Sequence, residues 1–292
     1  MLDPATLTHR YHDSGSLSAG CIRTFRTTIL QHHRANPRPM PWRETSDPYH
    51  ILVSEIMLQQ TQVERVKTRY AEFLTSFPTL EALAAAPLTA VLRIWQGLGY
   101  NRRAIALKRC AEEIVNRHDG QFPHDTTELE ALPGIGPYTA RAVAAFAFSV
   151  AEPLIETNIR TVFIHFFFHG RGKVADREIL SLVAATLDRD NPREWYYALM
   201  DYGAHLKQLH PNPGRRSRHH VRQSRFEGSN RQLRSRLLRC IIAHPGISFA
   251  ELSLQSEAEG QDVQRNLADL QREGFILGDE NRYSVRDDTK KG

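Results

Sequence analysis

Three short segments hold the residues best suited to chemistry. In Ser54-Glu55-Ile56-Met57-Leu58-Gln59-Gln60-Thr61-Gln62, Glu55 has Ile51 and Leu52 one helical turn before it and Leu58 and Gln59 one turn after. A carboxylate on a largely apolar face loses hydration. Its pKa rises, and a proton stays available near neutral pH, as a general acid requires. A salt bridge to an arginine would account for a lone buried glutamate equally well. The adjacent Gln59-Gln60 pair favours the functional reading, because a long, flat amide can fill the gap left by an extruded base. The second segment is Leu132-Pro133-Gly134-Ile135-Gly136-Pro137-Tyr138-Thr139-Ala140. A Gly-x-Gly turn entering a helix exposes successive amide donors, here around Gly134, Gly136 and Thr139. Such a turn can hold a phosphate, aided by the helix dipole. The third, Glu152 to Val162, places Glu156 and Asn158 where a helix begins. From these residues alone, simple capping by Thr157 or Asn158, with Glu156 favoured by the dipole, is the better reading.

The elements that must position these segments are almost all helices. After a polar stretch over 1–18, expected to be mobile, a helix is predicted from Ala19 to His33. Asn36-Pro-Arg-Pro-Met-Pro-Trp42 cannot be helical, since three prolines deny backbone donors. Asp47-Pro48 starts the helix of Glu55, predicted to run through Gln60. Further helices are predicted at about 63–76, 79–85, 88–95, 102–117, 126–131, 137–148, 157–168, 176–188 and 192–203, with Asp125 and Glu128 capping the one before the Gly-x-Gly turn. Residues 208–228 read as a loop. In the last sixty residues, Leu233, Leu237, Leu238, Ile241 and Ile242 form a helical stripe. Short helices follow from Ile247 and around Val263 to Leu270. Phe275-Ile276-Leu277 and Tyr283-Ser284-Val285 then flank a Gly278-Asp-Glu-Asn turn, a hairpin signal. Three helices and a hairpin resemble a winged-helix domain, a fold that binds DNA or partner proteins.

Composition narrows the classes further. The chain has 292 residues, 41% hydrophobic and 24% charged, as in an ordinary soluble domain. It is neither a disordered chain nor a fibrous repeat. Its longest apolar stretch is too short to span a bilayer, so no membrane partner is expected. No apolar leader core accompanies His9, Arg10 and Asp13. Cys21, Cys110 and Cys240 are far apart and form no metal-binding pair, which points to the reducing cytoplasm. The net charge is +5, but residues 207–239 hold ten Lys/Arg and one acid, while the rest carries 28 bases against 32 acids. That basic segment suggests a polyanion contact, with Arg215, Arg216 and Arg218 as candidates.

The order of motifs carries a resemblance. Pro41-Trp42-Arg43, Asp47-Pro48-Tyr49, Ser54 to Gln62, Gly97-Leu98-Gly99-Tyr100, Leu132 to Ala140 and Pro153 to Val162 together resemble the adenine DNA glycosylases of the helix-hairpin-helix superfamily, over about residues 19–206. The resemblance implies a mainly α fold: a two-subdomain helix-hairpin-helix core enclosing a cleft, with Glu55 and the 132–140 hairpin in one subdomain and Glu156 at the junction. A basic linker (207–228) and the winged-helix-like domain (229–288) would follow. It implies a monomeric repair enzyme that flips a damaged or mismatched base, adenine foremost, out of double-stranded DNA and hydrolyses its glycosidic bond. A deaminated, alkylated or bulky base is the alternative substrate, and an inactive DNA-binding protein the alternative class. On these positions, Glu55 is the general acid, Glu156 the carboxylate facing the sugar, Asn158 its supporting amide and Gln60 the wedge, beside Gln59. Tyr138 stands where lyase relatives carry lysine.

The chain departs from the family pattern at three places. Glu156 replaces an aspartate, and an extra methylene moves the carboxylate by about 1 Å, enough to matter for rate. Four cysteines that usually bind an iron–sulfur cluster correspond to Lys207, Gly214, Ser217 and Gln223, so no cofactor is expected. The winged-helix-like segment takes the place of the family's domain for oxidised guanine. About five arginines between Arg215 and Arg239, Arg222 and Arg225 among them, are expected to neutralise phosphates.

Overall fold

The computed structural model describes residues 11, 17–220, 225–279 and 281–287. Most of the N-terminal stretch 1–18, together with Arg222, Gln223 and Glu280, lies outside the described residues. In chain order the helices are α1 (Ala19–Ala35), α2 (Pro48–Leu58), α3 (Val63–Ser76), α4 (Leu80–Ala85), α5 (Leu88–Trp95), α6 (Arg102–Arg117), α7 (Thr126–Ala131), α8 (Pro137–Phe148), α9 (Thr157–Phe167), α10 (Asp176–Thr186) and α11 (Pro192–Leu209). Then come α12 (Asn230–Ala243), β1 (Ile247–Ser248), α13 (Phe249–Ser256), α14 (Gly260–Arg272), β2 (Ile276–Asp279) and β3 (Arg282–Val285). The fold is mainly α, as expected. No described helix is long and apolar enough to cross a membrane.

The chain forms two compact units. The first draws on the described residues of Met1–Leu52, His124–Glu130 and Ile135–Arg222; the second on those of Val53–Pro123, Ala131–Gly134 and Gln223–Gly292. Glu55 thus belongs to the second unit and Glu156 to the first. The 132–140 hairpin is divided after Gly134 rather than grouped whole with Glu55.

In the first unit, Cys21, Phe25 and Ile29 recur every fourth residue along α1 and are buried. Phe25 meets Phe163, Phe166 and Phe167 of α9 and Trp195 of α11 at centroid distances of 5.1–5.8 Å. Arg26 donates its Nε to the Thr186 carbonyl (2.9 Å), satisfying an orphan acceptor at the end of α10. Helix α11 runs six residues past its predicted end at 203. The stretch read as loop from Gln208 therefore starts as helix, held by burial of Leu206 and by Lys207.

In the second unit, Phe73 of α3 packs edge-on to Trp95 of α5 at 6.0 Å. Ala104, Ile105, Leu107, Cys110, Ala111 and Ile114 line the buried side of α6. The C-terminal residues join this unit instead of forming a separate body. Leu237, Leu238, Ile241 and Ile242 of α12 are buried, while Leu233 is only half-buried. Ile247-Ser248 is a strand, not a helix start. Helix α13 begins two residues later, where Ser248 and Glu251 form a reciprocal capping box. The strands make an antiparallel sheet of order β1-β3-β2, with Leu277 opposite Ser284 and Ile247 opposite Tyr283.

Candidate active site

Helix α2 starts where Asp47 Oδ1 accepts from the amides of Tyr49 (2.8 Å) and His50 (3.3 Å), with Pro48 supplying no donor to waste. Its middle is buried continuously from Ile51 to Met57. Glu55 sits in that run with 6% of its surface exposed. The sequence placed it on an apolar face, and the structure buries it there.

The helix stops at Leu58, two residues before the predicted end. Gln60 adopts a left-handed backbone (φ 54°), which costs a side-chain-bearing residue about 1 kcal/mol. The compensation is Arg103, which motif reading missed. Its Nη1 donates to the carbonyls of Ile56 (2.8 Å), Met57 (2.9 Å) and Gln59 (2.6 Å). Its Nη2 donates to Thr61 Oγ1 (3.1 Å), Leu98 O (3.2 Å) and Gly99 O (2.9 Å). One guanidinium thus closes the end of α2 and ties the Gln59-Gln60 turn to the Gly97–Tyr100 loop. Burial pulls it down to about 10, so it stays cationic at neutral pH. A signal was present in the sequence: two arginines in the first turn of a helix, Arg102 and Arg103, oppose the dipole and need another reason to be there.

The Gly-x-Gly turn follows the predicted pattern. Asp125 caps α7 by accepting from the amides of Thr127 (2.8 Å) and Glu128 (3.1 Å). Gly134 has φ 76°, and a Cβ there would lie 2.4 Å from the Ala106 Cβ, so only glycine lets the turn approach α6. Gly136 has no side chain with which to cap α8, and Pro137 opens that helix. Thr139 is 3% exposed, at the start of α8.

Glu156 is itself the cap of α9, not Thr157 or Asn158. Its Oε1 accepts from the amides of Asn158 (2.6 Å) and Ile159 (2.8 Å), and its Oε2 from Asn158 Nδ2 (3.3 Å). One glutamate oxygen thus holds the second and third amides of the helix, as the Asp47 and Asp125 caps do. Lys207 Nζ donates to Asn158 Oδ1 (2.6 Å), so position 207 serves this cluster as a cation. Gly203 permits the approach of α11, since a Cβ would lie 2.3 Å from the Asn158 carbonyl oxygen. Upstream, Tyr196 donates its hydroxyl to the Glu152 carbonyl and accepts from the Leu154 amide (3.3 Å), which fixes the segment leading to Glu156. Burial pushes the Glu156 carboxyl above the usual carboxylate range. The two amides and the Lys207 and Arg160 cations oppose that shift.

A second cluster in the first unit had no counterpart in the sequence reading. Asp201, 1% exposed, meets His33 Nδ1 (2.8 Å), Arg38 (3.0 Å) and both terminal nitrogens of Arg43 (2.8 and 2.9 Å). Arg43 also lies over the Tyr197 ring at 4.5 Å. The proline-rich stretch before Arg43 is anchored this way, and its end is not free of helix as expected: Pro41–Arg43 form one turn of 3-10 helix, which proline at the first position permits.

The basic segment divides. Arg216 donates to the carbonyls of Phe168 (2.7 Å) and Ile164 (3.2 Å), so it closes the end of α9 and is not a free cation. Arg231, Arg234 and Arg236 find partners in the second unit: Tyr100, Glu273 and the Ser256 carbonyl. Arg225 pairs with Glu227 (3.2 Å). Arg215 and Arg218 are exposed. Arg239, at the end of the segment, is exposed as well, and the Arg225–Glu227 pair lies on the surface, so Arg215, Arg218, Arg225 and Arg239 remain open to phosphate among the described residues.

Residues 53–184 match the model of the HhH-GPD superfamily of base excision DNA repair proteins. The thymine/uracil-DNA glycosylase of Pyrobaculum aerophilum is 34% identical over 185 residues, covering 61% of this chain and 80% of that one. The chain belongs to the HhH-GPD superfamily. A second relative, the adenine DNA glycosylase of Mycobacterium tuberculosis (strain CDC 1551 / Oshkosh), is 40% identical over 183 residues, 61% of this chain and 60% of its own length. The chain thus spans less than two thirds of that enzyme. Among solved structures, a thermostable thymine-DNA glycosylase superposes with a TM-score of 0.56 at 27% identity, over 63% of this chain and 86% of that one. The HhH-GPD match ends before residue 207, so the basic segment and the C-terminal elements lie beyond it.

Proposed function

We propose that this chain is a monofunctional DNA N-glycosylase that acts, as a monomer, on double-stranded DNA. It hydrolyses the glycosidic bond of a flipped-out base, with mismatched adenine as first substrate, and leaves an abasic site. The observation that carries the reading is the placement of Glu55: a nearly fully buried acid one turn before a strained glutamine turn. Adenine leaves poorly as an anion, and Glu55 supplies the proton that makes it a neutral leaving group. The sugar then develops positive charge, which an ionised Glu156 offsets, with Asn158 holding that carboxylate. Water completes the reaction, since Tyr138 offers no amine for an imine. The adenine DNA glycosylase relative supports this substrate. The thymine/uracil-DNA glycosylase relative favours a second reading, in which a deaminated base is removed.

The test is base release from duplexes carrying adenine opposite guanine or 8-oxoguanine, and thymine or uracil opposite guanine. Release of adenine with an intact strand until alkali is added is the expected result. Release confined to thymine or uracil selects the second reading. No release from any duplex leaves a DNA-binding protein. Borohydride trapping of a covalent adduct would overturn the monofunctional assignment.

Catalysis without an iron–sulfur cluster is part of the same proposal. At three of the four expected ligand positions the side chains are committed otherwise or missing. Lys207 bonds Asn158, Gly214 has no side chain, and Ser217 Oγ accepts from the His219 amide (3.0 Å). The purified protein should be colourless and free of stoichiometric iron. A band at roughly 400 nm, where thiolate-bound iron absorbs, would contradict it.

Arg215 and Arg218 are proposed as phosphate contacts. Replacing both with Gln should reduce the slope of log K against log salt by about 2, from roughly 0.9 per phosphate. Titration against a duplex with a stable abasic analogue reads this directly, and parallel salt lines would show that the loop does not touch DNA.

A further inference from the structure

Within the second unit, the C-terminal elements hold the starts of α5 and α6, the helices on either side of the Gly97–Tyr100 loop. Asp287 accepts from the Thr89 amide and hydroxyl (2.7 Å each), and so caps α5, whose own N-cap, Pro87, has no acceptor side chain. Glu273, closing α14, takes a two-pronged bond from Arg102 (2.8 and 2.5 Å) and another from Arg234 (2.6 Å). Between these anchors, Arg231 Nη1 donates to the Tyr100 hydroxyl (2.7 Å). Tyr100 has a left-handed backbone (φ 49°), and two guanidinium groups lie near its ring, Arg231 at 5.8 Å and Arg103 at 5.6 Å from its centre. Arg103 is the group that holds the Gln59-Gln60 turn.

We infer that Arg231 and Tyr100 are positioning residues: through Arg103 they couple the C-terminal elements to the Gln59-Gln60 turn and set how firmly that turn is held for base extrusion. The charge of these elements agrees. Residues 229–287 carry eight Lys/Arg and nine Asp/Glu, and the arginines at 231, 234 and 236 face protein partners. This is the charge pattern of a brace, not of a separate DNA-reading head. The functional half of the inference rests on the proposed glycosylase reading; the mechanical half does not.

The test uses the full chain with Arg231→Met, Tyr100→Phe or Arg231→Lys. Tyr100→Phe removes the hydrogen bond and keeps a ring near both cations. Arg231→Lys keeps a cationic donor. Amide hydrogen exchange over 58–62 and 97–101 should quicken by about tenfold or more in the first two variants and stay within about threefold of the parent in the lysine variant. Exchange in α9 and α11 should not change. A 2-aminopurine placed beside the target base should report a flipped population lowered roughly three- to tenfold, with affinity for undamaged duplex within about twofold and the loss in kcat rather than KM. Unchanged exchange over 58–62 in both Arg231→Met and Tyr100→Phe overturns the coupling, whether or not the protein releases any base. Faster exchange with an undiminished flipping signal, in a parent that does release a base, overturns the functional half. A parent that releases no base from any duplex refutes the glycosylase reading and with it the functional half, while the exchange results still decide the coupling.

Discussion

Glu55→Gln should lower base release by about 10²- to 10⁴-fold, the usual share of a positioned general acid. The amide has nearly the shape of the carboxyl group and fits the same buried place in α2, where only 6% of Glu55 is exposed. It cannot give a proton to a departing base. The amide is neutral, like the protonated acid that it replaces, so the fold should hold. Affinity for a duplex with an abasic analogue should stay within about threefold of the parent, because binding does not need the proton. Single-turnover release measured beside this affinity separates the two effects. Activity within tenfold of the parent would sink the acid assignment.

Glu156→Gln should cost roughly 10²- to 10³-fold in release, the scale of removing one group aimed at transition-state charge. The amide oxygen can still accept from Asn158 and Ile159, so α9 keeps its cap. Glu156→Ala loses cap and charge together and should cost about 1 kcal/mol in stability as well. A pure capping role predicts the opposite ranking: Glu156→Gln nearly active, Glu156→Ala impaired in proportion to its instability. The pH profile adds a check. Burial raises the Glu156 carboxyl, so its ionisation should set the acid limb of kcat/KM above the ordinary carboxylate range. Lys207 opposes that rise, and Lys207→Met should move the limb to higher pH. Stability carries the matching sign. The folded state binds this proton more tightly than the unfolded chain, so the Glu156 contribution falls as pH rises from the ordinary carboxylate value through the raised one.

Local signals in the sequence were read well. Proline and aspartate marked the start of α2, Asp125 capped α7, and apolar spacing placed Glu55 inside. These depend on neighbours within one helical turn. The misreadings were of another kind. Arg103 acts on residues more than forty positions away, Arg216 on α9 about fifty away, and Arg231 on Tyr100 at a separation of 131. Composition counted all three as charge, yet tertiary contacts commit each to a partner. Glu156 was misassigned for a local reason: glutamate is an unusual cap, and only its backbone geometry shows that it reaches two amides.

The contact between Thr89 and Asp287 joins residues 198 apart in sequence, and that between Arg102 and Glu273 residues 171 apart. The second unit is therefore assembled from early and late stretches of the chain. On a translating ribosome, α3 to α6 emerge long before the segment that caps α5 and pairs with Arg102. Until residues 223–287 have been made, the apolar side of α5 that receives α12 has no cover. Closing so long a loop is slow and entropically costly, and it follows the local helices in time. Folding kinetics of this protein should thus show α12–β3 docking as a late step, and a nascent chain halted before it should be the form that chaperones retain.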